Sequence, residues 1–201
     1  MKRVLITGGT GFVGANLAGR LCREGHEVHL LVRSGHSPWR IKDIQSEVRL
    51  HSVDLIDRER LLAAVRTIRP EWVFHLAAHG AYPSQNDVLS MIQTNITGTA
   101  NLVEACLHTG FDTFVNAGSS SEYGFKDHAP SEEESLEPNS HYAVTKAAAS
   151  NFCSYTARSK KVRIPTLRLY SVYGPLEEPS RLVPTLLVHA LRSRWPSLVD
   201  P

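Results

Sequence analysis

The stretch Lys2-Arg3-Val4-Leu5-Ile6-Thr7-Gly8-Gly9-Thr10-Gly11-Phe12-Val13-Gly14 decides how this chain is read. Its first half is short, apolar and β-branched, as a buried parallel strand is. Its second half is a glycine turn. Residues 15–24 then set Leu17, Leu21 and Cys22 on one side of a helix. Strand, glycine turn and helix in that order are what a dinucleotide pyrophosphate needs. Gly8 permits a sharp turn, Gly11 lets backbone N–H groups approach the phosphates, and Gly14 lets the helix pack close to the sheet. The phosphates then face the positive end of that helix. Glycines at this spacing are weak evidence alone. With both flanks in place they point to dinucleotide binding rather than to a structural turn.

Downstream the pattern repeats. Residues 28–32 form a second apolar run that ends at Arg33-Ser34. The residue closing this strand meets the adenosine ribose: an acid there favours NAD, an arginine favours the 2′-phosphate of NADP. A third strand, 48–53, ends at Asp54-Leu55, whose carboxylate can accept from the adenine amino group. A helix over 58–69 stops at Pro70. The fourth strand, 72–76, runs into Ala77-Ala78-His79-Gly80, and small residues there leave room for a ligand at the sheet. His75 and His79 lack a third ligand at a zinc-like spacing, so no metal site is expected. One long helix with more than one apolar face is expected over 89–108, carrying Asn95, and a fifth strand over 113–117. Ser140 is the expected N-cap of a helix reaching about residue 158. A sixth strand over 166–170 and a last helix over 181–192 complete the alternation, which predicts one α/β, doubly wound parallel sheet of Rossmann type.

Composition narrows the function classes. The 201 residues suffice for one well-buried α/β domain. A net charge of +2 without a Lys/Arg run gives no case for a nucleic-acid partner. The apolar run at the N-terminus is broken at Gly8 and Gly9, too soon for a membrane span or signal peptide. Cys22, Cys106 and Cys153 are far apart in helical stretches and read as buried thiols, so a cytoplasmic setting is the default expectation. The acidic run Glu132-Glu133-Glu134 reads as a solvated loop.

The chemistry lies in the second half. A serine run, Ser119-Ser120-Ser121, follows the fifth strand, and Tyr142 and Lys146 stand one helical turn apart on the next helix. A phenol has to exchange a proton with a substrate hydroxyl or carbonyl, and its ordinary value near 10 is too high for neutral pH without help. An ammonium one turn away is expected to favour the phenolate, while a serine hydroxyl positions the same substrate oxygen.

With these residues in view the chain resembles the extended short-chain dehydrogenases/reductases, in their NAD(P)-dependent nucleotide-sugar epimerase/dehydratase group. The resemblance runs the whole length, through residues 7–14, Asp54-Leu55, His75-Leu76-Ala77-Ala78, residues 94–99, the serine run before Tyr123-Gly124, residues 142–146 and Val172-Tyr173-Gly174-Pro175. It implies a catalytic trio of Ser119, Tyr142 and Lys146, with Ser119 chosen because the family's Ser or Thr stands four positions before the tyrosine of the Tyr-Gly pair. It implies a cofactor site of Gly8, Thr10, Gly11, Phe12, Val13, Gly14, Arg33, Asp54, Leu55, Ala77, Ala78, Asn95, Tyr142, Lys146 and Tyr170. Substrate contacts are implied for His79, Ser120, Ser121 and Ser171. The implied cofactor is NAD or NADP, with Arg33 tilting towards NADP, and the substrate is a nucleotide-sugar. The implied assembly is a homodimer through helices 89–108 and 142–158. Three departures stand out. The family's 4,6-dehydratases carry an acid two positions after the catalytic Ser/Thr, where this chain has Ser121, with Glu122 one step further on. An asparagine expected after the sixth strand is Ser171. Family members are longer, so residues 1–175 are expected to form the cofactor-binding domain and residues 176–201 only the start of a substrate lobe. The expected reaction is 4-epimerisation or 4-keto reduction; the alternative is a cofactor-binding protein with little turnover.

Overall fold

The structure, a computed structural model, describes residues 1–82 and 84–196; the last five residues of the expected 176–201 portion lie outside it. Six strands form one parallel sheet: β1 (Arg3–Thr7), β2 (Glu27–Val32), β3 (Val48–Ser52), β4 (Trp72–His75), β5 (Thr113–Ser119) and β6 (Thr166–Leu169). Their order is β3-β2-β1-β4-β5-β6, the doubly wound Rossmann arrangement, which reverses direction between β1 and β4 and opens a crevice at the carboxyl ends. The helices are α1 (Phe12–Arg23), α2 (Arg58–Ile68), α3 (Val88–Met91), α4 (Gly98–Thr109), α5 (His141–Lys160) and α6 (Leu182–Leu191).

Each face of the sheet has its own core. Val4, Ile6, Val28 and Leu30 meet Ala15, Ala18 and Leu21 of α1 and Ile41 of a 3₁₀ turn at Trp39–Ile44. On the other face, Leu5, Leu31, Val73 and Phe114 meet Leu61 and Val65 of α2, Leu102 and Cys106 of α4, and Cys153 of α5. Alternate residues of one strand thus serve opposite cores, as the pleat requires. Cys106 and Cys153 are buried free thiols, and burial pushes the Cys153 thiol up to about 12.

Four local features differ from the sequence reading. First, α1 begins at Phe12, three residues before expected, because Gly11 is its N-cap in extended backbone. The helix therefore starts inside the glycine motif. Second, the single helix expected over 89–108 is α3 and α4 joined by a π-helical stretch, Ile92–Thr97, in which the Gly98 N–H reaches back to the Gln93 carbonyl. A π-turn inserts one residue, and the residue it turns inward is Asn95, 1% exposed. Third, α2 ends at Ile68, one residue earlier than expected, with Arg69 in left-handed backbone (φ 50°) just before Pro70. Fourth, β5 runs on to Ser119, so the serine closes a strand instead of following it.

After β6 the chain crosses the outside of the first βαβ unit. The Asn16 amide donates to the Pro175 carbonyl at 2.8 Å, the Arg40 Nε donates to the Leu176 carbonyl at 2.8 Å, and Arg40 pairs with Glu178 at 2.8 Å. Beyond it, no residue of α6 is buried.

Candidate active site

A cleft of about 1070 Å³ opens at the carboxyl ends of the strands. Thr7, Val32, Leu76, Ala117, Ser119 and Leu169 bring it one residue or more from β1, β2, β5 and β6 and from the ends of the neighbouring turns. The glycine turn forms its floor. Gly8 has φ 72°, which L side chains rarely adopt, and a Cβ there would lie 2.7 Å from the Ala77 nitrogen. A Cβ on Gly14 would lie 2.2 Å from the Gly8 carbonyl oxygen. The turn and the first turn of α1 are therefore in backbone contact. Gly11 caps α1 with no side-chain hydrogen bond, and no acid stands in the first turn. The helix N–H groups of this end stay available to an anion. A dinucleotide pyrophosphate fits these residues.

Around that floor the cleft collects most of the expected residues. Thr10, Phe12, Val13, Arg33, Asp54, Leu55, Ala77, Ala78, Tyr170 and Ser171 line it, as do Ser119, Ser120, Tyr142 and Lys146. Its cationic side chains are Arg33, Arg40, Lys146 and Arg181, and its carboxylates among the described residues are Asp54 and Glu177. The positive excess suits a ligand carrying phosphates.

Three expected contacts lie elsewhere. Asn95 sits behind the wall. Its amide oxygen accepts from the His79 N–H at 2.8 Å, and its amide nitrogen donates to the His79 carbonyl at 2.8 Å and to the Thr145 hydroxyl at 2.9 Å. It therefore clamps the Ala78–Gly80 turn to α5, one residue from Lys146. His79 is held through its backbone, and its side chain is not among the cleft-lining groups. Ser121 turns away as well, its hydroxyl 2.5 Å from that of Ser119.

His75, the last residue of β4, is 1% exposed, and its partners select one tautomer. The Thr99 hydroxyl donates to the Asn95 carbonyl at 2.6 Å, so it accepts from His75 Nε2–H at 2.8 Å. His75 Nδ1 then accepts from the Thr7 hydroxyl at 2.7 Å, whose oxygen in turn accepts from the Ala77 N–H at 3.2 Å. Burial, with Lys146 adding to it, lowers this imidazole from the ordinary 6.5 to about 3. The ring is a neutral strut between the end of β1 and the first turn of α4. Among the described residues, no group of three His, Cys, Asp or Glu could hold a metal ion.

Ser140 caps α5, accepting from the Ala143 N–H at 3.2 Å, and this fixes the phase in which Tyr142 and Lys146 face the cleft. Burial raises the Tyr142 phenol above its ordinary value; Ser119 opposes that and Glu122 adds to it. The expectation that Lys146 would bring the phenol down is not met by the protein's own groups. Lys146 is itself 3% exposed, and burial lowers its ammonium, with Glu122 and Cys153 acting the other way. The sequence reading missed the role of Glu122, which does not line the cleft. The Ser119-x-x-Glu122 spacing was a readable signal, because it matches a capping box.

Comparison with known proteins agrees with this geometry. The model of the NAD dependent epimerase/dehydratase family matches residues 4–199. The chain belongs to that family. A UDP-glucose epimerase of Bacillus subtilis, YtcB, described as uncharacterized, is 29% identical over 200 residues, which is 96% of this chain and 63% of the relative. A probable UDP-glucuronate 4-epimerase of Rhizobium meliloti is 31% identical over 88% of this chain and 55% of its own. Among solved structures, the Thermus thermophilus UDP-glucose 4-epimerase complex with NAD superposes with a TM-score of 0.82 at 30% identity, over 96% of this chain and 63% of that one. The chain thus spans less than two thirds of the length of these family members. No helix among its described residues is long and apolar enough to cross a membrane.

Proposed function

We propose that the protein binds NAD or NADP and acts on a nucleotide-sugar by hydride transfer at a sugar carbon, as a 4-epimerase or a 4-keto reductase. The observation that carries this reading is the convergence of Ser119, Tyr142 and Lys146 on the same cleft as the glycine turn. A bound nicotinamide would supply the hydride donor or acceptor. Tyr142 would exchange the proton at the sugar oxygen, Ser119 would hold that oxygen by a hydrogen bond, and the Lys146 ammonium would stabilise the phenolate and hold the cofactor ribose. Asp54 and Leu55 would face the adenine, and Ala77-Ala78 would leave room for the cofactor. Water elimination has less support. Ser121 stands where the dehydratases carry an acid, and Glu122 faces Arg168 instead of the cleft. UDP-sugars are the first candidates, because the relatives compared above are described as acting on them.

Arg33, at the cleft, supports NADP binding at least as tight as that of NAD. A homodimer through α3–α4 and α5 would cover Leu89, Ile92, Val144 and Tyr155, which are exposed on those helices; sedimentation at micromolar protein tests it, and a monomer there opposes it. Residues 1–175 would be the cofactor-binding part, with 176–201 opening the substrate lobe. A second reading, cofactor binding with little turnover, is favoured by α6, none of whose residues is buried.

The deciding experiment titrates NADH and NADPH by fluorescence and assays UDP-sugar epimerisation and 4-keto reduction, with Tyr142→Phe as control. The expected result is saturable cofactor binding in both proteins and a loss of turnover on the order of 10²–10⁴-fold in the variant. Cofactor binding with turnover that Tyr142→Phe leaves unchanged would refute the assignment. Binding without turnover in either protein would favour the second reading.

A further inference from the structure

Gly118, Glu122 and Arg168 form a unit directly behind Ser119. Gly118 pairs with Arg168 in the parallel β5–β6 register. Having no side chain, it leaves a space that both partners use: a Cβ there would lie 2.7 Å from Glu122 Oε1 and 3.1 Å from Arg168 Cγ. Glu122 is fully buried. Its Oε1 accepts from the Ser119 N–H at 2.7 Å, and its Oε2 accepts from Arg168 Nε at 3.0 Å. Arg168 also donates to the Tyr123 hydroxyl at 2.9 Å, and its guanidinium lies over the Tyr123 ring. A carboxylate taken this far from water is held by that pairing, because an unpaired buried charge is strongly unfavourable.

We propose that Glu122, held by Arg168, is a positioning residue for the active site: it anchors the backbone of Ser119 and places a fixed negative charge behind Tyr142 and Lys146. The proposal rests on the hydride-transfer reading for its catalytic consequence, but not for its geometry. The anchor works because Ser119 is the last residue of β5 and the N-cap of the turn Ser120–Tyr123. Its hydroxyl accepts from the Ser121 N–H at 3.3 Å while its own N–H is taken by Glu122. Both ends of the residue are thereby tied, and the hydroxyl is held at the cleft. The charge works through space. Burial raises the Tyr142 phenol and lowers the Lys146 ammonium; Glu122 adds to the first shift and opposes the second. The other ionisable groups around them are Cys153 on α5, Tyr123 in the turn, Arg168 on β6, and His75 on β4, which stays neutral. A protonated phenol suits proton donation to a carbonyl oxygen.

Two substitutions separate anchor from charge. Glu122→Gln keeps an acceptor for the Ser119 N–H and removes the charge. Glu122→Asp keeps the charge and withdraws the acceptor by one methylene. The phenol titration of Tyr142 is followed by ultraviolet difference absorbance, with Tyr142→Phe identifying its component. Exchange of the Ser119 amide is followed by NMR. Glu122→Gln is expected to move the Tyr142 midpoint down and leave the Ser119 amide protected. Glu122→Asp is expected to expose that amide while holding the midpoint closer to wild type. Where the wild-type chain turns over substrate, Glu122→Asp should lower kcat on the order of a hundredfold, the loss expected when a reacting group is misplaced by about an ångström. An unmoved midpoint in Glu122→Gln, or a protected Ser119 amide in Glu122→Asp, overturns the proposal. Absence of turnover in the wild type would count against the hydride-transfer reading alone, since both spectroscopic readouts are independent of it. If either variant fails to fold, Arg168→Lys is measured the same way; it keeps a cation beside Glu122, and an exposed Ser119 amide is the supporting result and a protected one, with kcat unchanged, the opposing one.

Discussion

The carboxyl ends of β1 and β4 and the segment after β6 border the same cleft, and they are held in opposite ways. At β1 and β4 the backbone itself is in contact, Gly8 against Leu76-Ala77 and against Gly14 of α1, and the polar groups are closed into a chain from Ala77 through Thr7, His75 and Thr99 to Asn95. After β6 the chain is held by surface hydrogen bonds from Asn16 and Arg40, and it continues into a helix whose Leu182, Leu186, Leu187 and Leu191 are exposed. The first region has no slack, so a single atom matters there. The second rests on a few polar contacts of Asn16 and Arg40 with Pro175, Leu176 and Glu178. The half of the cleft that would grip a dinucleotide is thus built into the sheet, whereas the half beyond β6 is only laid over it.

The largest expected effect tests how tightly the first region is closed. The His75 value in the folded protein, about 3, lies below the ordinary 6.5. The stability carried by the neutral ring is therefore complete above pH 6.5 and is lost as pH falls towards 3. That amounts to about 5 kcal/mol at the bottom of the window. Urea melts of wild type and His75→Gln from neutral pH downwards read it. The variant should be the less stable at pH 7, and the gap should narrow in acid, because glutamine cannot titrate. A gap that stays constant with pH would mean that the ring is not held neutral by burial.

A single methyl group probes the backbone contact. Gly14→Ala is expected to cost about 1–3 kcal/mol, as overpacking does, because the new Cβ meets only backbone, the Gly8 carbonyl and the Gly9 Cα, and no flexible side chain that could move aside. Dinucleotide binding should fall with it. Wild-type stability and affinity in Gly14→Ala would show that the turn can open.

Between the two regions lies Arg33, exposed at the rim. Arg33→Asp is expected to turn the cofactor preference towards NADH by roughly tenfold, or about 1.4 kcal/mol. A clear preference for NADH already in the wild type would remove the reason for assigning the arginine a role.

The smallest effect belongs to α6. Leu187→Ser should change stability by no more than about 0.5 kcal/mol, the range of ordinary surface substitutions, because the side chain is 60% exposed. A loss of several kcal/mol, or a change in oligomeric size, would show that α6 is covered in solution and would erase the contrast between the regions.

Much of this could be read in the chain before its coordinates. Strand, glycine turn and helix around Gly8–Gly14 are local signals, because the φ angle at Gly8 and the apolar spacing depend on near neighbours. Ser140 as the cap of α5, and the phase it sets for Tyr142 and Lys146, were legible for the same reason. Arg33 and Asp54 could be placed at the cleft because a parallel strand delivers its last residue there. Asn95 is the instructive exception. Its place on a helix was readable, but the π-turn that swings it behind the wall depends on the His79 backbone and the Thr145 hydroxyl, which come from other elements.

What the sequence by itself determined was the order of elements, the parallel sheet they form and the residues that reach its carboxyl edge. Periodicity, glycine spacing and caps act within a few residues, so they need no knowledge of the rest of the fold. Tertiary structure alone decided where the buried polar groups point. It selected the neutral tautomer of His75, it left the Tyr142 phenol raised instead of lowered, and it turned Glu122 inward to Arg168 instead of outward to the cleft. The physical reason is that desolvation and pairing are properties of the space between elements. Whether a carboxylate meets water, a substrate or a guanidinium depends on which strand is its neighbour, and β6 is separated from Glu122 by the whole of α5 in the chain yet pairs with β5, which ends just before Glu122.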